Sequence, residues 1–138
     1  MNKKILEIKW QRLVYKGETC SRCEDTEREL NKAVSFLTRF FTPIGIEIIL
    51  KKEEISLSEF EKDPLKSNEI LINNIPIENY LSGKIGQSPC CSVCGPSQCR
   101  TLEINGKVYE TITADIIIKA AFLAVSQLFE RIKGIKDI

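Results

Sequence analysis

The sequence predicts an α/β fold in which a mixed central sheet is flanked by helices. Segments rich in Ile, Leu and Val alternate with a segment whose apolar residues recur at three- and four-residue spacing, and this alternation is typical of α/β domains. Two Asn-containing dipeptides between apolar runs predict hairpin turns. The chain has 138 residues, the size of a single domain. We therefore expect residues 1–138 to form one domain.

The first half of the chain predicts a strand, a helix and a second strand. Residues 5–15 mix apolar and charged positions in the manner of a strand. From Glu24 onward the apolar residues follow helical spacing, and acidic residues fill the first turn, where the helix dipole favours them. Pro43 and Gly45 predict the end of this helix, and the β-branched run that starts at Ile46 predicts a buried strand.

The second half predicts a short helix, two hairpins and a closing helix. Residues 56–60 favour the short helix, and the dipeptides at residues 73–74 and 105–106 favour hairpin turns, the second more strongly because Asn-Gly suits a type I′ turn. The closing helix is expected from about residue 114 to about residue 132. Residues 83–100, rich in Gly, Ser, Pro and Cys, are expected to form an irregular cysteine-rich loop inserted before the last hairpin.

Charge and hydropathy exclude some partners. The chain has 20 Lys and Arg against 19 Asp and Glu, a net charge of +1, which argues against a nucleic-acid binder. The amino-terminal segment lacks the apolar region of an export signal, and the longest apolar stretch is shorter than the roughly 20 residues that cross a bilayer. These features predict a cytoplasmic protein without a membrane partner, and clustered cysteines in that compartment favour catalysis or metal binding.

The chain contains six cysteines and no histidine. Without imidazole it has no Cys-His nucleophile pair, no His-ligated zinc and no side chain whose unperturbed pKa lies near neutrality. Thiolates are therefore the expected chemical groups.

The first sulfur site is the CxxC motif of Cys20 and Cys23, at the predicted start of the first helix. Unpaired N–H groups and the positive end of the dipole stabilise a thiolate there, so we expect Cys20 to attack and Cys23, one turn later, to resolve a mixed disulfide. Neighbouring acidic residues, offset only in part by Arg22, favour a reductant over a strong oxidant. The same motif would also serve as half of a four-sulfur metal site.

The second sulfur site is the cluster of Cys90, Cys91, Cys94 and Cys99. Cys91 to Gly95 has the form of a zinc knuckle, and the four thiolates would suit zinc or another soft metal. One or two disulfides that cross-link the loop would explain the same spacing of cysteines. A third hypothesis is a relay, in which the loop lies over the CxxC and one of its cysteines accepts the disulfide from Cys23. Arg100 is expected to be solvated.

The order of elements, with a CxxC that opens the first helix, resembles the thioredoxin-like domains. More narrowly, four segments resemble a prokaryotic thioredoxin-like family of unknown function: residues 18–23, 67–73, 75–78 and 90–95. The resemblance implies a thioredoxin-like fold, with Cys20 and Cys23 as the attacking and resolving thiols. The chain departs from thioredoxins at one position, because Ser67-Asn68 stands where thioredoxins place a cis-proline. This departure favours a narrower range of substrates than that of a general protein-disulfide reductase.

Two functions follow as hypotheses. The first is a thiol-disulfide oxidoreductase that uses Cys20 and Cys23 on a protein or small-molecule thiol or disulfide and requires no cofactor. The second is a binding protein that holds zinc, copper, mercury or arsenic through the cysteines of the second site.

Overall fold

The computed structural model of the protein describes residues 4–89 and 98–136, from residue 130 onward as backbone only. Two short 3-10 turns, Thr42–Ile44 and Pro64–Lys66, join longer elements. In chain order the helices and strands are β1 (Lys4–Leu13), α1 (Ser21–Phe41), β2 (Ile46–Ile55), α2 (Leu57–Lys62), β3 (Glu69–Ile72), β4 (Ile75–Pro76), α3 (Ile77–Leu81), β5 (Lys84–Pro89), β6 (Gln98–Ile104), β7 (Lys107–Tyr109) and α4 (Ala114–Lys136).

The central sheet has four strands in the order β2-β1-β3-β4. β1 pairs with β2 in parallel, in the register Ile8 to Leu50, and with β3 antiparallel, in the register Ile8 to Ile72. β4 pairs antiparallel with β3. The predicted α/β class with a mixed sheet is therefore confirmed.

The core lies between this sheet and the two long helices. α1 and α4 pack against each other, α1 against β2, and α4 against β1 and β3. On β1, alternate residues are fully buried, as expected for a strand with one covered face; they are Leu6, Ile8 and Trp10. The intervening residues are more exposed, and Glu7 forms a 3.1 Å ion pair with Lys51.

Most predicted boundaries agree with the structure. α1 ends at Phe41, and Gly45 takes a left-handed conformation at φ 85° before β2. Ser56 and Glu59 form a reciprocal capping box at the start of α2. Both hairpin turns have positive φ at their central residues, Asn73 and Asn74 in one and Asn105 and Gly106 in the other, as the predicted turn type requires.

Both flanks of the predicted cysteine-rich loop are strand. Residues 84–89 form β5, which pairs antiparallel with β6 from Pro89↔Gln98 to Lys84↔Glu103. The sequence prediction was wrong here because Gly, Ser and Pro at an exposed edge strand resemble loop composition. The last hairpin also lies outside the central sheet, since β5, β6 and β7 form a second sheet of three strands.

The second strand differs from the buried strand that was predicted. β2 is an edge strand, and of its residues only Ile46 and Ile55 at the two ends are buried. Lys51 to Glu54 continue the strand while exposed to solvent. The β-branched run correctly predicted a strand, but the prediction that this strand is buried was wrong.

No helix within the described part of the chain is both long enough and apolar enough to cross a membrane.

Candidate functional site

The CxxC motif lies where the sequence predicted it, at the amino end of α1. Cys20 is the residue before the first helical turn, with extended φ and ψ of −79° and 160°, and its carbonyl accepts the 3.0 Å hydrogen bond of the Glu24 N–H. Cys23 follows inside the first turn. Both side chains are almost fully buried, at 2% and 1% exposure. The first turn therefore holds two thiols at the positive end of a helix of 21 residues.

Proton binding at Cys23 depends on the Cys20 side chain and on burial. The pKa of Cys23 is raised far above its ordinary value, first because of its hydrogen bond with the Cys20 side chain and then because of burial and the negative charge of Cys20. The hydroxyls of Ser67 and Thr19 oppose this rise. Cys23 therefore holds its proton more tightly than an ordinary thiol does.

Ser67 supports Cys23 from the start of β3. Its hydroxyl oxygen lies 3.7 Å from the Cys23 sulfur and accepts a 3.0 Å hydrogen bond from the Leu13 N–H. Because that hydroxyl already accepts from the backbone, its own hydrogen is available to the sulfur. Asn68 follows in a left-handed conformation at φ 66°, and none of the peptide bonds in the described segments is cis.

Arg22, between the two cysteines, points into the protein and is only 7% exposed. It donates hydrogen bonds to the carbonyl oxygens of Arg100 and Pro89, at 3.3 and 3.0 Å, and to the Ser88 hydroxyl at 2.9 Å. Its charge is compensated by Glu110 at 3.1 Å. Arg22 thereby ties the CxxC to β5 and β6 on either side of residues 90–97, a role that charge counting alone did not reveal.

The acidic residues near the motif do not contribute to the raised pKa of Cys23. Glu18 and Glu24 are exposed, and Asp25 forms an ion pair with Arg28. None of these acids is among the causes that raise the Cys23 pKa. The other cysteine and burial control that thiol.

Arg100 is buried rather than solvated, so that prediction was wrong. It is 6% exposed, donates to the Leu65 carbonyl at 2.8 Å, and pairs with Glu78 at 2.5 Å and with Glu69 at 3.6 Å. Burial raises the pKa of Glu69, although Arg100 opposes the rise. This cluster joins β3, α3 and β6, and it fixes the strand on which Cys99 lies.

Of the second sulfur site, the structure describes Cys99 alone. Cys90, Cys91 and Cys94 lie outside the described residues, so the predicted four-thiolate metal site and its disulfide alternatives stay predictions. Cys99 is 1% exposed and pairs across the sheet with Ser88, whose hydroxyl contacts Arg22. Within residues 4–89 and 98–129, no three Cys, Asp or Glu side chains are arranged to hold a metal ion.

Comparison with known proteins gives the family. A model of the domain of unknown function DUF2703 matches residues 6–121, and the chain belongs to this family. An archaeal protein from Archaeoglobus fulgidus, described as an uncharacterized protein, is 44% identical over 112 residues, which cover 81% of this chain and 82% of that protein. No solved structure matches.

Proposed function

We propose that the protein is a thiol-disulfide oxidoreductase of thioredoxin-like fold, with Cys20 as the attacking thiol and Cys23 as the resolving thiol. One observation carries the proposal: two buried thiols lie at the start of α1, and the Cys20 side chain and burial raise the pKa of Cys23. A resolving thiol that holds its proton until the mixed disulfide has formed suits the two successive steps of disulfide exchange.

The proposed reaction transfers two electrons and needs no bound cofactor. The Cys20 thiolate attacks one sulfur of a substrate disulfide, so that a Cys20–substrate disulfide forms and the other substrate sulfur leaves as a thiolate that takes up a proton. Cys23 then loses its proton and attacks the Cys20 sulfur, which releases the second substrate thiol. The substrate disulfide is reduced to two thiols, and the Cys20–Cys23 dithiol is oxidised to a disulfide.

Ser67 supports the second of these steps. Its hydroxyl favours the ionised form of Cys23, so it works against the burial and the Cys20 charge that hold the proton in place. Once Cys20 is joined to substrate its negative charge is gone, and the pKa of Cys23 falls. Attack by Cys23 is thus delayed until the mixed disulfide has formed.

The strand order supports the thioredoxin-like part of the proposal. A CxxC beside a β-α-β unit is typical of thioredoxin-like redox domains. Here β1, α1 and β2 form that unit with β1 and β2 parallel, and the β3-β4 hairpin extends the same sheet antiparallel to β1. The Ser67 hydroxyl, two residues before β3, lies 3.7 Å from the Cys23 sulfur, and this contact supports the comparison of Ser67-Asn68 with the cis-proline position of thioredoxins.

The burial of both thiols favours a small or narrow substrate. Cys20 is 2% exposed, so a large folded protein reaches its sulfur only if neighbouring residues move. We therefore propose a small thiol or disulfide as the substrate class.

The test uses purified full-length protein and two disulfides, hydroxyethyl disulfide and oxidised glutathione. Wild-type protein should reduce both in the presence of dithiothreitol, and Cys20→Ser should lose this activity. Cys99→Ser, which also removes one buried thiol, is the matched control and should keep it. Full reductase activity in Cys20→Ser would contradict the proposal. In parallel, native mass spectrometry of protein purified without oxygen tests the alternative, in which residues 90–99 hold a metal ion.

A further inference from the structure

A cleft of about 490 Å³ lies between α3, the β6-β7 hairpin and the first half of α4. No residue of the CxxC motif and none of the residues that hold it line this cleft. Its volume falls in the range of about 300–1,000 Å³ that is typical of small-molecule sites. The cleft is therefore a separate candidate binding site.

The wall of the cleft is mainly apolar and aromatic. Ile116 is buried on one side, while Leu123 on the same helix remains 39% exposed, so apolar surface faces the open space. Two tyrosines, Tyr80 and Tyr109, contribute rings to the lining. A ligand with an apolar or ring-bearing body would cover this surface, and removing it from water would stabilise the complex.

The charged groups of the cleft favour an anion. Lys107 and Lys119 line it together with a single carboxylate, that of Asp115. Among the described residues neither lysine has an ion-pair partner, and the Lys107 ammonium lies 5.0 Å from the centre of the Tyr109 ring. Two ammonium groups against one carboxylate leave an excess of one positive charge.

We propose that this cleft binds a small organic anion, with its apolar or aromatic body against Leu123 and the tyrosines and its anionic group beside Lys107 and Lys119. A cationic ligand would meet two like charges. A neutral ligand would leave the excess positive charge of the cleft uncompensated. The proposal does not depend on the reaction of the CxxC, because the two sites share no residue.

The experiment uses 8-anilinonaphthalene-1-sulfonate, an aromatic anion whose fluorescence rises in apolar surroundings. Isothermal titration calorimetry of the full-length protein should give one site per chain. Lys119→Glu reverses a charge at the cleft and should weaken binding by about tenfold. Asp115→Asn removes the opposing carboxylate and should strengthen binding by about threefold. Partial unfolding would weaken binding in both variants, so opposite effects of these two substitutions on one helix exclude it as the cause.

Two control variants separate this cleft from other surfaces. Lys32→Glu makes the same charge change in the middle of α1 and should leave the affinity unchanged. Phe36, Phe40 and Phe122 form an exposed aromatic cluster that is a competing site for the dye. Phe36→Ser should not change binding to the cleft. Loss of binding in Phe36→Ser, an unchanged affinity in Lys119→Glu, or more than one equivalent dye per chain would overturn the proposal.

Discussion

The Arg22 guanidinium donates a 2.9 Å hydrogen bond to the Ser88 hydroxyl, so the middle of the CxxC motif is fastened to β5. The same side chain reaches the carbonyl of Arg100 on β6. The first turn of α1 and the second sheet are therefore held as one unit. Side-chain hydrogen bonds of Arg22 thus connect the CxxC to the two strands that border residues 90–97.

Replacing Arg22 tests this connection. Arg22→Ala removes the donor to the Ser88 hydroxyl and to the carbonyl oxygens of Pro89 and Arg100, and it leaves Glu110 without this ion pair, so we expect a loss of about 2–4 kcal/mol in the free energy of unfolding. Arg28→Ala removes an exposed arginine of the same helix and should cost less than about 1 kcal/mol. Urea unfolding followed by circular dichroism measures both. Equal losses in the two variants would show that the buried contacts of Arg22 contribute nothing specific.

Replacing Cys23 should stop the proposed reaction halfway. In Cys23→Ser the Cys20 sulfur still attacks, but nothing resolves the product, so a mixed disulfide between Cys20 and the substrate accumulates. Intact-mass spectrometry after reaction with oxidised glutathione should detect one added glutathione, and peptide mapping should place it at Cys20. Cys20→Ser is the comparison, and its Cys23 should gain no adduct. An adduct on Cys23 instead would reverse the two assigned roles.

Replacing Ser67 should affect both stability and the second step. Ser67→Ala leaves the buried Leu13 N–H without its acceptor, a loss of about 1–3 kcal/mol. It also removes a hydroxyl that lowers the Cys23 pKa, so that pKa should rise further and release of the second thiol should slow at neutral pH. Single-turnover kinetics by stopped flow separate the two steps.

The control for that variant is Ser56→Ala, which removes the capping hydroxyl of α2 far along the chain from the CxxC. It should lower stability by about 1 kcal/mol and leave both steps at their wild-type rates. If Ser56→Ala slows the second step as much as Ser67→Ala does, the effect comes from lost stability and not from the Cys23 sulfur.

Stability should fall at alkaline pH because of Cys23. Its pKa in the folded protein lies above the value in the unfolded chain, so above the unfolded thiol pKa of about 8.5 the unfolded state has lost a proton that the folded state keeps. The slope of the unfolding free energy with pH is then negative, up to about 1.4 kcal/mol per pH unit for this thiol. The contribution is fully present below about pH 8.

The measurement is urea unfolding from pH 7 to pH 10 under reducing conditions, in wild-type protein and in Cys23→Ala. The variant should lose the part of the slope that belongs to Cys23, while groups that do not contact Cys23 contribute equally in both proteins. Identical slopes would mean that Cys23 ionises in the folded state as readily as in the unfolded chain.

The local features of the fold were predictable from the sequence and the distant contacts were not. The start of α1 at the CxxC and the Asn-Gly turn depend on neighbouring residues, which a sequence pattern shows. The burial of Arg100 depends on Glu78 and on the Leu65 carbonyl, 22 and 35 residues away in the chain. Nothing in the charge pattern around Arg100 indicates those partners.

The site was predictable to a similar extent. The spacing of Cys20 and Cys23 correctly located two thiols at the start of a helix, while their order of reaction stays a prediction. Ser67 was indicated only by the resemblance, which aligned Ser67-Asn68 with the cis-proline of thioredoxins, and no local pattern shows its contact with Cys23 across 44 residues. Arg22 had one usable signal, its position between the two cysteines, where a side chain must either face solvent or enter the protein.

Both edges of the central sheet resist extension by another chain. The outer edge, β2, carries the exposed charged residues Lys51 to Glu54, and charges on an edge strand oppose pairing with a foreign strand. The opposite edge, β4, has two residues, and one of them, Pro76, has no N–H to offer. Backbone-mediated aggregation through this sheet is therefore disfavoured at both ends, even when the protein is crowded or newly made.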